Sequence, residues 1–297
     1  MYDLVIIGGG PAGITAGIYA ARKKLHTALV SADFIGQVGL TGPIENWPGE
    51  PSIVGAALME KFEDHARRHN LDIIEEEVLS IDDIERQFVI KTEEVNLTSR
   101  TVLLATGRTP RRLNVPGERE YVGKGVVYCT TCDAPVYQDK KVVVVGGGNN
   151  GFASAIELTD YASEVTLLEI ASECRADGLL QERATQKGVS VRTNQTIIDI
   201  RGGDYVTSVT LQDGSEMTID GVFIEVGSTP NARLAPAGVQ CNDDGEIEID
   251  YYSCATSLEG FYAAGDVTNI RDKQIVTATA EGAKAALSVY EYLRSAR

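Results

Sequence analysis

The chain has 297 residues, of which 43% are hydrophobic and 24% charged, a length and balance that accommodate two packed domains and require no disordered part. Lys and Arg total 27 against 43 Asp and Glu, a formal charge of −16, so most of the surface repels a phosphate backbone or an anionic bilayer, and neither nucleic acid nor membrane is expected as a partner. The acidic surplus is scattered (Glu75-Glu76-Glu77, Asp82-Asp83, Asp243-Asp244) and reads as solvated surface.

Residues 4–21 carry no charge, but the run holds five glycines and Pro11, and no basic segment precedes it. Neither a membrane span nor a signal peptide is expected, which leaves a cytoplasmic location. The opening YDLVIIGGGPAGITAGIYAARKK predicts a buried strand, a glycine turn and a helix with small residues on one face. Gly8, Gly10 and Gly13, with Pro11 and Ala12 completing the loop, satisfy GxGxxG at that junction. The first glycine permits the tight turn, the second lets backbone N–H groups approach a pyrophosphate, and the third allows close helix packing.

Further along, FVIKTEEVNLTSRTVLLAT predicts a small β-meander running into the last strand of this first unit, which closes at LLATGRTP. The segment VVYCTTCDAPVY then places Cys129 and Cys132 two residues apart, followed by Asp133. Alone, such a pair suits half a zinc site, a structural disulfide or a redox switch. A structural zinc needs four ligands, and there is no second CxxC and only His26, His65 and His69 elsewhere. Cys174, Cys241 and Cys254 stand alone and read as packing residues or incidental thiols.

The opening pattern returns at KKVVVVGGGNNGFASAIELTDYASEVTLLE, with Gly146, Gly148 and Gly151 in the loop and Asn149 and Asn150 inside it. SVTLQDGSEMTIDGVFIEV again supplies a meander, and FIEVGSTP repeats the closing strand. One architecture used twice predicts an α/β protein of two doubly wound, Rossmann-like dinucleotide-binding domains, each with a small β-meander. The second is inserted in the first: residues 1–115 and 244–297 against 116–243, joined by crossings near 112–117 and 242–246.

Glu169 ends the strand VTLLE, 18 residues past Gly151. A carboxylate there accepts hydrogen bonds from the adenine ribose and opposes a 2′-phosphate. That opposition is worth about 2 to 4 kcal/mol at an effective dielectric near 20, or about 30- to 700-fold in affinity. With only Arg175 nearby to offset it, NADH is expected over NADPH.

GGGPAG at 8–13, IGQ at 35–37, GPIENWPG at 42–49, ATG at 105–107, CTTCD at 129–133, GGGNNG at 146–151, AAGDV at 263–267 and KQI at 273–275 occur in one order along the chain. In that order and spacing the sequence resembles the low-molecular-weight thioredoxin reductases over essentially its full length. That family normally carries HRRxxxR for the NADPH phosphate, where this chain reads Glu169-Ile170-Ala171-Ser172-Glu173-Cys174-Arg175. TLLEIASECRADGLLQE instead resembles the reductase portion of the flavoprotein component of alkyl hydroperoxide reductase, which uses NADH. Two smaller departures are Ile35 in place of the first glycine of GGQ, and Ala134 in place of the glycine after the CxxCD aspartate.

The resemblance implies FAD along the first domain. Gly8, Gly10, Pro11, Ala12 and Gly13 would lie at its pyrophosphate, Gln37 and Asn46 near the ring system, Asp266 on the ribityl chain, and Gln274 and Ile275 at the isoalloxazine. Asp266 also reads as an N-cap of the alanine-rich helical tail. Gly146, Gly148, Asn149, Asn150, Gly151, Glu169 and Arg175 would hold the nicotinamide nucleotide. Electrons would pass from NADH through FAD to the Cys129–Cys132 disulfide, with Cys132 facing the flavin, Cys129 attacking the partner's disulfide and Asp133 supplying a proton.

The related flavoprotein carries N-terminal thioredoxin-like folds, and this chain begins three residues before its first predicted strand. The expected acceptor is therefore a separate thioredoxin- or glutaredoxin-like protein, and a homodimer is expected by the same resemblance. Rival readings are a same-fold reductase fed by ferredoxin or a deazaflavin, a ferredoxin–nicotinamide reductase, which lacks the CxxC, and a non-enzymatic zinc or disulfide module.

Overall fold

The computed structural model describes residues 1–41, 43–84 and 87–295; Gly42, the first residue of the 42–49 motif, lies outside them. The chain divides into two compact units, Met1–Leu40 with Val54–Thr109 and Thr229–Arg297, and Thr41–Ile53 with Pro110–Ser228.

In the first unit, Leu4 to Ile7 fill the predicted strand Tyr2–Ile7, which is buried on both faces as a central parallel strand requires. It pairs in parallel with Thr27–Val30 (Leu4 opposite Thr27) and with Asn96–Leu104 (Leu4 opposite Thr101). Asp72–Ile74 adds to one side. On the other, Asn96–Leu104 takes the antiparallel hairpin Ser80–Ile84 and Gln87–Lys91 along its first half and the parallel strand Phe261–Ala263 along its second. The helix Pro11–Arg22 packs against the tail helix Ile275–Ser295, and the approach is close: a Cβ at Gly282 would lie 2.0 Å from the Ala12 carbonyl oxygen.

The second unit repeats this plan. Val126–Val127, Gly221–Ile224, Lys141–Val145, Glu164–Leu168 and Ser190–Arg192 form a parallel sheet in that order, with the helix Asn149–Leu158 after the second glycine loop. Its meander is Ile197–Gly202, Val206–Leu211 and Glu216–Thr218. In the first unit the last meander strand runs unbroken into the central sheet, whereas here the chain breaks between Thr218 and Gly221. Asp220 accounts for the break: its backbone N–H donates to the Lys141 carbonyl at 2.7 Å, and its carboxylate accepts the Lys141 N–H at 2.8 Å.

The units exchange chain at 109/110 and 228/229, ahead of the expected boundaries at 115/116 and 243/244. Side-chain packing decides this. Leu113 and Val115 pack on the second unit's core, while Ala232, Leu234, Ala235 and Val239 pack on the first unit's core. Thr41–Ile53, expected with the first unit, groups with the second. Among the described residues no helix is long and apolar enough to cross a membrane.

Candidate active site

The two glycine loops solve the same packing problem twice. Gly8 has φ +114° and Gly146 φ +125°, a region that disfavours any side chain. A Cβ would lie 2.3 Å from the Ala105 carbonyl oxygen at Gly8 and 2.5 Å from the Glu225 carbonyl oxygen at Gly146. At Gly13 and Gly151 it would lie 1.9 and 1.8 Å from the carbonyl oxygens of Gly8 and Gly146. Gly10 and Gly148 differ: both are ordinary extended helix caps, and a Cβ would meet nothing within 4 Å. The fold itself does not require glycine at either position. Open space without a side chain, at the start of a helix of 12 or 10 residues, suits the close approach of a phosphate to backbone N–H groups. Both loops therefore fit a dinucleotide.

Cys129 and Cys132 form a disulfide with Cα atoms 5.4 Å apart. Cys129 caps the short helix Thr130–Asp133, and both cysteines are half-buried. The following turn is fixed by Ala134 and Tyr137, both in the second unit's core, with the Tyr137 ring edge-on to Phe223 at 4.9 Å. Ala134 is fully buried, so a methyl group fills the place where the related family has glycine. Burial pushes the Asp133 carboxyl up to about 6. The residue between Cys129 and Thr131 is also held: the Thr130 hydroxyl donates to Glu225 Oε1 at 2.9 Å, and the Ser154 hydroxyl donates to the same oxygen at 2.7 Å.

A disulfide of redox spacing inside the second of two dinucleotide-binding units agrees with what known proteins show. Residues 2–282 match the pyridine nucleotide-disulphide oxidoreductase family. The chain belongs to that family. The protein is thus an oxidoreductase, and membership implies a flavin and a nicotinamide nucleotide as cofactors. The chain is 38% identical to the F subunit of alkyl hydroperoxide reductase in Staphylococcus aureus and 36% identical to its counterpart in Staphylococcus epidermidis. Each match covers 98% of this chain and 59% of the relative, so the chain spans about three-fifths of their length. Among solved structures, a thioredoxin reductase from Streptococcus pyogenes is similar with a TM-score of 0.95 and 36% identity, covering 99% of both chains. One from Giardia duodenalis follows at 0.91 and 34%, also over 99% of each.

In this oxidoreductase the remaining candidate residues divide between the units. Gln37, Asp266, Gln274 and Ile275 lie with Gly8 to Gly13 in the first unit, whereas Asn46 lies on the segment grouped with the second. Asp266 does not cap the tail helix, which begins at Ile275 beyond an intervening turn. Burial raises its carboxyl, and Lys273 and Arg108 pull it back. Glu169 reaches the second loop: Oε2 accepts the Gly147 N–H at 2.6 Å and Oε1 the Ala171 N–H at 2.8 Å. Asn149 and Asp177 exchange two further bonds, which pin the stretch after Glu169 to the helix start. Arg175 and Asn150 are exposed. Of the three lone cysteines, Cys254 is buried in the core, Cys174 half-buried and Cys241 exposed.

Two carboxyls that no catalytic or binding motif marks face the proposed sites, Glu281 buried and Glu225 half-buried. Glu281 is 2% exposed; its Oε2 accepts the Gly265 N–H at 2.6 Å, and its Oε1 has no hydrogen-bond partner among the described residues. An orphaned oxygen next to the Gly265-Asp266 turn favours a polar ligand in the first unit. A charge on the apolar face of an alanine-rich helix was the available signal. Glu225 was marked by the repeat itself, since LLATGRTP and FIEVGSTP set Ala105 opposite it.

Proposed function

We propose that the protein is an FAD-dependent disulfide reductase that draws electrons from NADH and passes them through Cys129 and Cys132 to a separate thioredoxin- or glutaredoxin-like protein. The carrying observation is the Cys129–Cys132 disulfide set in a unit whose own glycine loop leaves room for a dinucleotide, in a chain whose other unit carries an equivalent loop. The similarity to solved thioredoxin reductases, at 36% and 34% identity, supports a thioredoxin-like acceptor. A homodimer completes the proposal on the resemblance alone, and a cytoplasmic location on the reading of residues 4–21 as a glycine loop rather than a membrane span or signal.

FAD, when bound, supplies two-electron transfer between a nicotinamide and a disulfide. The first unit would hold it, with Gly8 to Gly13 at the pyrophosphate and Gln37, Asp266, Gln274 and Ile275 along the rest. The second unit, with Gly146, Gly148, Asn149, Asn150, Gly151 and Arg175, would hold the nucleotide. Glu169 favours NADH: each of its oxygens keeps a lone pair for a ribose hydroxyl after taking its backbone N–H, and the carboxylate repels a 2′-phosphate.

Once the pair is reduced, the Cys129 thiolate attacks the acceptor's disulfide, forming a mixed disulfide and releasing one acceptor thiolate. Cys132 then displaces the second acceptor sulfur and the Cys129–Cys132 bond re-forms. Asp133 holds the proton that a departing sulfur takes up. An acid acts only while protonated, so disulfide reduction is expected to decline as pH rises through about 6. Asp133→Asn should remove that inflection from the rate profile; a profile the substitution leaves intact counts against the role.

The whole reading is tested by mixing oxidised, FAD-loaded protein with NADH anaerobically in a stopped-flow instrument. Flavin absorbance should bleach within seconds. Bleaching with ferredoxin but not with NADH overturns the nicotinamide assignment.

A further inference from the structure

Because one architecture occurs twice, each unit is an internal control for the other. The contacts of Gly8 with Ala105 and of Gly146 with Glu225 are the same contact, which aligns the loops at an offset of 138 residues and the closing strands at an offset of 120. At the loop offset Ser154 corresponds to Ala16, and at the closing-strand offset Glu225 corresponds to Ala105. Ala16 and Ala105 are buried and apolar. The plan therefore needs neither a hydroxyl nor a carboxyl at these two places. What the second unit has and the first lacks is the redox turn, and the polar pair meets that turn at Thr130.

We infer that Glu225 is a positioning residue for the redox pair: it ties Thr130, inside CxxC, to Ser154 on the helix of the second glycine loop, so the turn keeps its place when the disulfide opens. This rests on the reading of Cys129–Cys132 as the redox pair. Thr130 is 4% exposed and Ser154 8%, and a hydrogen bond to a carboxylate is stronger than one between neutral groups. Burial pushes the Glu225 carboxyl up, the Ser154 and Thr130 hydroxyls draw it back, and Glu157 adds to the push.

The consequence is chemical. Breaking the bond between the two sulfurs removes the covalent restraint on the turn, and the hydrogen bond through Thr130 then keeps the thiols at high effective concentration for closure. The tether stabilises the disulfide relative to the dithiol, and its loss makes the pair easier to reduce and slower to re-form.

The test is equilibration of the holoenzyme with glutathione buffers: Cys129–Cys132 disulfide plus two glutathione thiols gives two cysteine thiols plus glutathione disulfide. Acid quenching, alkylation and mass spectrometry count the free thiols at each ratio. Glu225→Ala is expected to move the equilibrium constant roughly tenfold toward the dithiol. Thr130→Val, which removes the donor but fills its space, should match it even where the alanine variant folds poorly. Glu225→Gln keeps an acceptor oxygen and should stay within about twofold of the parent protein. Parent-like constants for Thr130→Val or Glu225→Ala overturn the tether, and so does a Glu225→Gln constant as displaced as that of Glu225→Ala. A parent disulfide that no glutathione ratio opens overturns the redox-pair reading instead, which separates the two failures.

Discussion

Cys132→Ser is expected to lower reduction of a thioredoxin-like disulfide at least about a thousandfold while NADH-dependent reduction of a small dye continues. The physical reason is the difference in what each acceptor needs. A dye takes electrons without a thiol, whereas a protein disulfide must be attacked by one sulfur and released by another. Serine preserves the size of the half-buried side chain and its place in the Thr130–Asp133 helix, so the substitution removes the exchange chemistry with little change in packing. Steady-state assays with the two acceptors, run on one preparation, give the comparison. Loss of both activities together means that the residue serves the fold, and survival of disulfide reduction refutes the relay.

Glu169→Arg is expected to raise the NADPH-to-NADH ratio of kcat/KM beyond the about 30- to 700-fold that removing a unit charge opposing the 2′-phosphate supplies, because it also adds a positive charge. The structure adds a second effect. Because the carboxylate also accepts the N–H groups of Gly147 and Ala171, its loss slackens the loop and lowers activity with both nucleotides, so the ratio is the informative quantity. Glu169→Gln removes the charge, retains an acceptor and should give an intermediate ratio. A ratio unchanged in both variants places the ribose elsewhere.

The two units and the disulfide were legible because glycine spacing and CxxC spacing are local constraints that tertiary context cannot relax. Gly8, Gly13, Gly146 and Gly151 each face a carbonyl oxygen too near for a Cβ, and such demands surface directly as residue type. The boundaries were harder to place. Ala232, Leu234 and Val239 lie in a stretch with no periodicity, and only their packing on the first core shows which side of the crossing owns them. Glu225 and Glu281 were missed for a related reason: a carboxylate near the end of a strand or within a helix reads as surface until its neighbours are known. For Asp266, the expected cap failed because the turn between Val267 and Gln274 is invisible to helix propensity.

The strand Phe261–Ala263 and the tail helix, packed through Gly282 onto Ala12, bear on how the protein is made. The first unit's central sheet and its loop helix need residues 261–263 and the helix Ile275–Ser295, so that unit stays open during translation until those residues leave the ribosome. Most of the second unit, residues 110–228, is contiguous and emerges earlier. Nascent chains halted between the two points should carry a folded disulfide-bearing unit and an unfinished partner whose apolar strands are exposed, which makes that interval the one in which chaperones matter most.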